Sequence, residues 1–536
     1  MLRSLFLGAI CCCLLGQIAV AQETAQKKSP PRPNIIIMMA DDLGFSDIGC
    51  YGGEIETPNL DALAAGGIRF TQFYNTARCC PTRAALLTGL YQHQAGIGHM
   101  VGDYGVPAYQ GYLREQSVTI AEALRPAGYN TLAVGKWHVG SQKGKWPLDR
   151  GFDKFFGTPS GGGFYFKESL DFRKLFVTLG NDEVPFPDEA YCTDLFTDYA
   201  LKFIDESTEQ EKPFFLYFAH IAPHWPLQAK PEDIDKYREK YTAGWDAMRK
   251  ARFAKQREIG LADEAWQLSR RDMMSKPWNE MSAEQQEDLA LRMAVYAAQV
   301  DSIDQNVGRL VEKLKANGAW ENTVFMFLSD NGCSAEGGLT GFRRGNQAAE
   351  IGTPTTYASA GLGWANACDT PLRKFKMSTH EGGIATPLVV HWPAGISRRG
   401  EWEKQVGHVI DLMPTCLELA EAKYPETRAE QPTFPLAGKS LVSAFEGGTF
   451  SRDPIFWEHE GNRAVRAGDF KLVGPRGRPW QLYNLSLDRS ETNNLADDHP
   501  EKVRTLAAAW DSWAQEVGVL PWPARQAAQR LNQSQP

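Results

Sequence analysis

The chain has 536 residues, of which 43% are hydrophobic and 23% are charged, and it carries a formal net charge of −8. This length is too great for one simple core, so we expect one large domain and a smaller one. The acidic balance argues against a nucleic-acid-binding surface, which would be basic and clustered. It leaves room for a local basic pocket that binds an anion.

The first 33 residues are predicted to be an export signal followed by a linker. Arg3 supplies the positive end, residues 5–20 are apolar, and Ala19-Val20-Ala21 fits a small-x-small cleavage site. Residues 1–21 therefore read as a signal peptide and residues 22–33 as a polar, proline-containing linker. We expect an exported protein, periplasmic or secreted. No later segment offers about 20 uninterrupted apolar residues, so no membrane span is expected.

Short apolar runs without alternation mark strands that are buried on both faces. These runs cover residues 34–40, 131–134, 214–219, 324–328 and 388–391. Helical patterns lie between them, among them residues 115–125 and a long segment at 282–317 that a Ser282/Gln285 capping box opens. Alternating strands and helices predict an α/β fold with a large, mostly parallel sheet sandwiched by helices. We place this catalytic domain at residues 34–445.

Two segments within this domain are predicted to lie outside the sheet. Residues 241–281 are polar, helical and rich in arginine and lysine, and we expect a surface insertion. Residues 332–369 are rich in glycine, alanine, serine and threonine, which is typical of a long loop over a site.

The pattern changes after about residue 428. Short antiparallel strands are predicted at residues 454–457, 463–466, 470–473 and 481–483, and a helix is predicted at residues 503–517. These elements indicate a small C-terminal α+β subdomain with an antiparallel sheet, at residues 446–525. Residues 526–536 are expected to be a polar tail.

Residues 79–89, CCPTRAALLTG, carry the most specific motif in the chain. Pro81 suits the first position of a helix, and Gly89 can end that helix. Cys79 would then precede a helix N-terminus, where the positive field also attracts anions. The spacing alone does not distinguish a functional cysteine at an anion-binding helix N-terminus from a buried structural cysteine pair.

Acidic residues follow two of the predicted strands. Asp41 and Asp42 come directly after the strand at 34–40, and Asp330 and Asn331 come after the strand that ends at Leu328. In open α/β sheets, ligands bind beyond the carboxyl ends of the strands. Three carboxylates and an amide oxygen suit Ca²⁺ or Mg²⁺ rather than zinc. An isolated Asp-Asp pair is more often a helix cap or a turn, so taken alone the pairs leave both readings open.

Basic side chains lie in three short motifs that have ordinary interpretations when each is taken alone. Lys136 and His138 belong to GKWH, which follows the strand at 131–134. His224 stands between two prolines that fix the direction of its backbone. Lys376 lies five residues before a Glu-Gly-Gly sequence. A surface lysine or a histidine packed in a turn would explain each motif equally well.

The pattern C-x-P-[ST]-R-x(4)-T-G in residues 79–89 resembles the signature of the type I, formylglycine-dependent sulfatases of the alkaline phosphatase superfamily. Its fixed positions are filled by Cys79, Pro81, Thr82, Arg83, Thr88 and Gly89. Segments at residues 95–100, 222–229 and 457–465 are similar to the bacterial arylsulfatase branch. The resemblance covers nearly the whole mature chain and implies an alkaline phosphatase-like fold. It also implies that a maturation enzyme oxidises Cys79 to formylglycine.

The resemblance assigns a metal site and catalytic roles to the motifs above. One Ca²⁺ ion, with Mg²⁺ as a possible substitute, would be held by Asp41, Asp42, Asp330, Asn331 and the modified Cys79. The implied mechanism is covalent: a hydroxyl of the hydrated aldehyde attacks sulfur.

Five basic residues would surround that nucleophile according to the same resemblance. Arg83 and Lys136 would hold the hydrate. His224 and Lys376 would bind the sulfate and protonate the leaving alcohol. His138 would take a proton from the second hydroxyl and so expel sulfate.

The resemblance predicts a sulfuric ester hydrolase that acts on a sulfated small molecule or carbohydrate. A phosphonate monoester hydrolase or phosphodiesterase of the same superfamily is the alternative, since some of those relatives also use formylglycine. A non-catalytic protein that binds sulfated glycans is a third hypothesis, and it predicts the loss of a key residue. None is missing from the motifs.

Overall fold

A mixed sheet of eleven strands forms the centre of the structure, a computed structural model that describes residues 32–534. The predicted signal peptide and residues 22–31 of the predicted linker lie outside the described residues. The described residues also form two two-stranded sheets and a four-stranded sheet. All strands of these four sheets, in chain order, are β1 (Asn34–Asp41), β2 (Ile68–Tyr74), β3 (Asn130–Lys136), β4 (Lys154–Thr158), β5 (Val177–Leu179), β6 (Asp182–Val184), β7 (Phe214–Pro223), β8 (Thr323–Ser329), β9 (Arg343–Gly345), β10 (Thr356–Ala358), β11 (Ala385–His391), β12 (Glu401–Glu403), β13 (Gly407–His408), β14 (Thr427–Arg428), β15 (Gln431–Pro432), β16 (Ile455–His459), β17 (Asn462–Ala467), β18 (Phe470–Gly474) and β19 (Gln481–Asn484). The two-stranded sheets are β9 with β10 and β14 with β15, and the four-stranded sheet is β16–β19.

Helices pack on this sheet and connect its strands. In chain order they are α1 (Pro58–Ala65), α2 (Cys79–Thr88), α3 (Gln92–Ala95), α4 (Ile120–Leu124), α5 (Lys167–Arg173), α6 (Cys192–Thr208), α7 (Pro231–Asp235), α8 (Gly244–Glu258), α9 (Ala283–Ala316), α10 (Leu362–Cys368), α11 (Glu381–Ile384), α12 (Leu412–Leu419), α13 (Val442–Phe445), α14 (Pro500–Val517) and α15 (Ala524–Ser534). No helix within the described range has both the length and the apolar character needed to cross a bilayer.

The centre of the sheet is parallel, as the apolar runs predicted. The strand order is β12-β2-β11-β8-β1-β7-β3-β4-β5-β6, with β13 beside β2. Strand β1 pairs in parallel with β7 and β8, whereas β11 runs antiparallel to both β8 and β2. Residues 35–41 of β1 are all buried, so both faces of this strand are covered. The predicted large, mostly parallel α/β sheet is therefore confirmed.

The long helix α9 was predicted correctly, and the helix at 115–125 only in part. The Ser282 hydroxyl accepts from Gln285 N, so the predicted capping box opens α9. Helix α4 begins only at Ile120, because Thr119 and Glu122 form a capping box of their own. Residues 115–119 are therefore not helical, and that part of the prediction is wrong.

Residues 241–281 are not a simple surface insertion. Helix α8 places Trp245 in the core with no exposed surface. Arg252, on the same helix, is 2% exposed and donates to Asp47 Oδ1 at 2.6 Å and to Glu54 Oε2 at 2.7 Å. Charged residues suggested an exposed face, but the buried Asp47 and the partly buried Glu54 pair with the Arg252 guanidinium and allow this side of the helix to lie inside the protein.

The predicted antiparallel sheet near the C-terminus is present, in the order β16-β17-β18-β19. A buried ionic network connects it to the larger sheet. Lys471 on β18 donates to Glu381 Oε1 at 2.6 Å and to Glu491 Oε1 at 2.9 Å, and all three side chains have no exposed surface. Tyr74 on β2 donates to the other oxygen of Glu381 at 2.8 Å. Residues 526–534 of the predicted polar tail belong to α15.

Replacing Lys471 by methionine is expected to lower the free energy of unfolding by about 3–5 kcal/mol. The substitution removes the cation and leaves Glu381 and Glu491 buried with less compensation. Urea unfolding followed by tryptophan fluorescence measures the change. The exposed Lys404→Met variant is the control, for which a shift within about 0.5 kcal/mol is expected. Equal shifts in the two variants would show that the network contributes nothing particular.

Candidate active site

Helix α2 begins two residues earlier than the sequence predicted, so Cys79 lies in its first turn and not just ahead of it. The helix begins at Cys79, so Pro81 occupies its third position, where a missing N–H is also tolerated because first-turn N–H groups have no intrahelical partner. Gly89 ends the helix with φ 68° and donates to Ala85 O, as expected. Cys79 is only 2% exposed. A hydrogen bond with Cys80 and the cations nearby lower the pKa of the Cys79 thiol.

Four of the five predicted metal ligands, all except Cys79, meet at the carboxyl ends of β1 and β8. Asp41 is the last residue of β1, and Asp330 follows β8, the strand paired with β1. Asp42 N donates to Asp330 Oδ1 at 3.1 Å, and Asn331 Nδ2 donates to Asp42 Oδ1 at 2.6 Å. All four residues are at most 1% exposed. The parallel register of β1 and β8 is what brings the two pairs together.

This group of oxygens fits a hard divalent cation. Asp41 Oδ1 and Asn331 Oδ1 are buried and have no hydrogen-bond partner. Such oxygens are costly unless something satisfies them. Burial, and then the charge of Asp41, raise the pKa of Asp330. A bound cation would remove both penalties, and an all-oxygen donor set favours Ca²⁺ or Mg²⁺.

Arg83 and Lys136 form ion pairs with two of these carboxylates, Asp330 and Asp41. Arg83, on α2, donates to Asp330 Oδ2 at 2.7 Å and to the carbonyl of Lys136 at 2.9 Å. Lys136, at the end of β3, donates to Asp41 Oδ2 at 2.5 Å. Neither side chain has exposed surface. Both cations are thereby held beside Cys79 by residues that also face the metal position.

Lys376 and His224 converge on Asp42. Lys376 Nζ lies 2.7 Å from Asp42 Oδ1, and its backbone N donates to the Cys333 carbonyl at 3.1 Å. His224 Nε2 lies 3.6 Å from Asp42 Oδ2, while its Nδ1 lies 2.6 Å from the Trp225 carbonyl. The carbonyl fixes the proton on Nδ1 and leaves Nε2 to face the site.

His138 lies beside the Cys79 thiol. Its ring nitrogen lies within 4.8 Å of the sulfur atoms of Cys79 and Cys80. Its backbone has φ 57°, an unusual conformation for a non-glycine residue that directs the side chain into the site. Burial lowers the pKa of His138 to about 4. A neutral imidazole here can accept a proton at physiological pH.

The sequence did not point to two residues that shape the site. Gly161 packs against the His138 ring, and a Cβ there would lie 2.0 Å from His138 Nε2. Glu336 lies 3.7 Å from Lys376 and accepts from Trp225 Nε1 at 2.6 Å. Despite burial, Lys376 and Arg78 lower the pKa of Glu336 to about 2. Neither residue belongs to a recognisable motif, so only their spatial neighbours reveal them.

His220, the histidine on β7, has no hydrogen-bond partner among the described residues and makes the fold sensitive to acid. His220 has no exposed surface, and both ring nitrogens lack a partner. Burial lowers its pKa to about 3, against about 6.5 in the unfolded chain. The unfolded state therefore binds a proton first as the pH falls, and stability is lost between about pH 6.5 and pH 3.

Replacing His220 by leucine is expected to reduce the loss of unfolding free energy between pH 7 and pH 5 by about 2 kcal/mol. Urea unfolding at pH 7 and at pH 5 gives this difference. A packing change that alters the unfolding free energy equally at the two pH values cancels when the difference is taken. The exposed His499→Gln variant is expected to leave the difference unaltered. A pH difference in His220→Leu equal to that of the parent protein would refute the assignment.

Family models, relatives of known sequence and a solved structure together match most of this chain. The family model described as Sulfatase matches residues 33–422, and the one described as N-sulphoglucosamine sulphohydrolase, C-terminal, matches residues 375–510. An uncharacterised sulfatase of Schizosaccharomyces pombe is 35% identical over 92% of this chain and 95% of its own length. An arylsulfatase of Klebsiella aerogenes is 34% identical over 76% of this chain and 91% of its own. The solved structure of Ps i-CgsB in complex with k-i-k-neocarrahexaose is 27% identical, with a TM-score of 0.68 over 94% of this chain and 98% of that one.

Proposed function

The chain belongs to the sulfatase family and is a sulfuric ester hydrolase of alkaline phosphatase-like fold, and we propose that Cys79, as formylglycine, is its nucleophile beside one Ca²⁺ ion. The observation that carries this proposal is the convergence of hard oxygen ligands and five basic side chains on one buried cysteine. A dianionic transition state needs such positive charge in a site that excludes water.

We propose that Asp41, Asp42, Asp330 and Asn331 hold the cation, with Mg²⁺ as a possible substitute. The unpartnered oxygens of Asp41 and Asn331 support this assignment. When bound, the ion supplies Lewis-acid stabilisation of negative charge on sulfate oxygens. The carboxylates also hold Lys136, Arg83 and Lys376 in place through the contacts described above.

Formylglycine in place of Cys79 supplies a hydrated aldehyde with two hydroxyl groups, and we propose that a maturation enzyme makes it. The neighbouring side chains divide the remaining work. Arg83 and Lys136 are proposed to hold the hydrate, since their ion pairs with Asp330 and Asp41 hold both cations beside the metal position and residue 79. His138 accepts a proton there, since burial keeps its ring neutral.

His224 and Lys376 are proposed to bind the sulfate and to protonate the leaving alcohol. Both contact Asp42, and both are 4% exposed, so they border the entrance of the site. His224 Nε2 makes no hydrogen bond within the described residues shorter than its 3.6 Å approach to Asp42, and it can donate to the bridging oxygen of an ester when the ring carries a second proton. Glu336 lies behind Lys376 and holds its ammonium group in position.

We propose a carbohydrate sulfate as the natural substrate and an exported location for the enzyme. Ps i-CgsB, the solved relative named above, was crystallised with an oligosaccharide, which supports a carbohydrate. Export rests on the sequence pattern of residues 1–21.

Two measurements test the proposed function. Mass analysis of the peptide that contains residue 79, from protein made in its native host, is expected to show an aldehyde instead of a thiol. Turnover of 4-nitrophenyl sulfate is expected to exceed that of an aryl phosphonate. Faster phosphonate turnover would overturn the sulfatase assignment in favour of a phosphonate hydrolase, and an unmodified thiol would favour a non-catalytic binder.

A further inference from the structure

A cleft of about 990 Å³ leads to Lys376 and is lined by three arginines that the catalytic site does not use. Arg373 donates to the Tyr483 hydroxyl and to the Glu491 carbonyl, and the other two are Arg476 and Arg478. These two lie on residues 475–480, the loop that joins β18 to β19, which we call the arginine loop. Its sequence, PRGRPW, places Arg476 and Arg478 on either side of Gly477, which turns the chain with φ 68°. The C-terminal subdomain thus contributes one wall of the cleft.

The arginine loop is tied to the catalytic lysine segment through one side chain. Asn462 Nδ2 donates to the carbonyl of Met377, the residue after Lys376, at 3.2 Å. Arg476 N donates to Asn462 Oδ1 at 3.1 Å. The stem of Arg476 packs on Gly461, where a Cβ would lie 3.3 Å from Arg476 Cγ. The backbone of Arg476 is therefore anchored, through Asn462, to the segment that carries Lys376.

The two guanidinium groups carry charge that nothing in the described residues neutralises. Lys374, in the same cleft, is paired with Asp272 at 2.6 Å, and Lys376 is paired with Asp42. Arg476 and Arg478 are exposed, and neither side chain has a hydrogen-bond or ion-pair partner between residues 32 and 534. Unpaired arginines on a cleft wall are suited to planar or tetrahedral oxyanions, which they bind with two parallel hydrogen bonds.

A different wall of the cleft is apolar. Met273 and Met274 line it and are 98% and 71% exposed, values rarely found for large hydrophobic side chains without a function. Methionine is flexible and adapts its shape to an irregular apolar surface. A sugar ring has apolar C–H faces and polar edges, so this wall and the arginine loop together match a saccharide with charged substituents.

Building on the proposed function, we propose that Arg476 and Arg478 form a subsite for a second anionic group on the substrate, either a sulfate or a carboxylate. The substrate class is then a polyanionic sulfated saccharide. Its scissile sulfate enters toward Lys376, its second anion contacts the arginine loop, and a ring lies against Met273 and Met274. An aryl sulfate would fill only the catalytic end of the cleft.

The test measures binding separately from turnover. Calorimetry on the full-length Cys79→Ala chain, which has no hydroxyl to accept a sulfate, compares disaccharides with one sulfate, with two sulfates, and with one sulfate and one uronate, each in a glucosamine and a galactosamine series. In the Arg476→Gln/Arg478→Gln background, affinity for the dianionic ligands is expected to fall about tenfold to hundredfold. Affinity for the monosulfated ligands is expected to stay within about twofold. The sulfate and uronate ligands distinguish the two sources of the second anion.

A charge-matched control separates the subsite from the net charge of the protein. Arg504→Gln/Arg530→Gln removes the same two charges from exposed positions on α14 and α15, and it is expected to leave all affinities unchanged. Dianionic ligands that bind the parent chain no tighter than monosulfated ones, or no binding of any disaccharide, would overturn the inference. Equal losses in the two double variants would overturn it as well.

If the proposed catalytic function is wrong and the subsite is correct, the experiments give a different result from the one that overturns the subsite. An enzyme with mature Cys79 that does not hydrolyse 4-nitrophenyl sulfate, yet binds dianionic disaccharides through Arg476 and Arg478, would disprove catalysis and retain the subsite. Conversely, kcat/KM on 4-nitrophenyl sulfate is expected to change less than about twofold in Arg476→Gln/Arg478→Gln, because that substrate has no second anion.

Discussion

Cys79→Ser is expected to lower kcat on 4-nitrophenyl sulfate by at least about 10⁴-fold, the largest effect of any single substitution in this chain. A serine side chain offers one hydroxyl, whereas a hydrated aldehyde offers two. After a first transfer, His138 would have no second hydroxyl from which to take a proton and expel sulfate. The variant is expected to release about one equivalent of 4-nitrophenol and then stop.

Rapid-quench kinetics and intact-mass analysis check this expectation, the second by a mass increase of one SO₃ group on the variant. Cys80→Ser, made in the same host, is the matched control. Cys80 is fully buried, with its sulfur 3.4 Å from Met100 Sδ and 3.5 Å from the His99 carbonyl, and serine keeps a hydrogen-bonding group at this position. Its kcat is expected to stay within about threefold. Sustained turnover by Cys79→Ser would contradict the assignment of the nucleophile.

Asp330→Asn is expected to abolish tight Ca²⁺ binding and to lower kcat/KM about 10³-fold. Asp330 accepts from Arg83 at 2.7 Å and from Asp42 N at 3.1 Å, so its loss affects both the metal position and the cation beside the nucleophile. Asparagine keeps the volume but removes the charge that a hard cation needs. Elemental analysis after gel filtration is expected to give about one Ca²⁺ per parent chain and nearly none per variant chain.

Thermal unfolding provides a readout of this site that is independent of activity. A ligand that binds only the folded state raises stability with its concentration, so the melting temperature of the parent protein should rise with added Ca²⁺. The rise is expected to disappear in Asp330→Asn. Asp304→Asn is the control, because Asp304 is another buried carboxylate. It accepts hydrogen bonds from the backbone N–H groups of Asn59 and Leu60, neither of which belongs to the proposed metal site. The Asp304→Asn variant should lower stability and retain the Ca²⁺ response; an unchanged response in Asp330→Asn would refute the metal site.

Local patterns in the sequence were sufficient where the structure depends on neighbours along the chain. The unbroken apolar run of β1 could only be a strand covered on both faces, and residues 35–41 are all buried. The Ser282/Gln285 pair fixed the start of α9 because a capping box is made within one turn. Residues 79–89 specified a helix with a cysteine at its N-terminus for the same reason, although its first residue was placed two positions late.

The tertiary structure alone decided what depends on contacts between distant segments. Lys376 meets Asp42 across 334 residues of sequence, and no local pattern encodes that contact. Glu336 and Gly161 have roles only because of the side chains packed on them. Residues 241–281 looked exposed from their charge, but Asp47 and Glu54 neutralise Arg252 inside the protein.

The sequence by itself determined the fold class, the family resemblance and the residues that we propose for the chemistry, because residue type and short-range spacing carry that information. The tertiary structure decided how those groups pair and which further residues surround them. The arginine loop is the clearest case: PRGRPW has no special meaning as a sequence. Its two charges acquire a role because Asn462 holds the loop against the residue next to Lys376, in a cleft built from segments far apart in the chain.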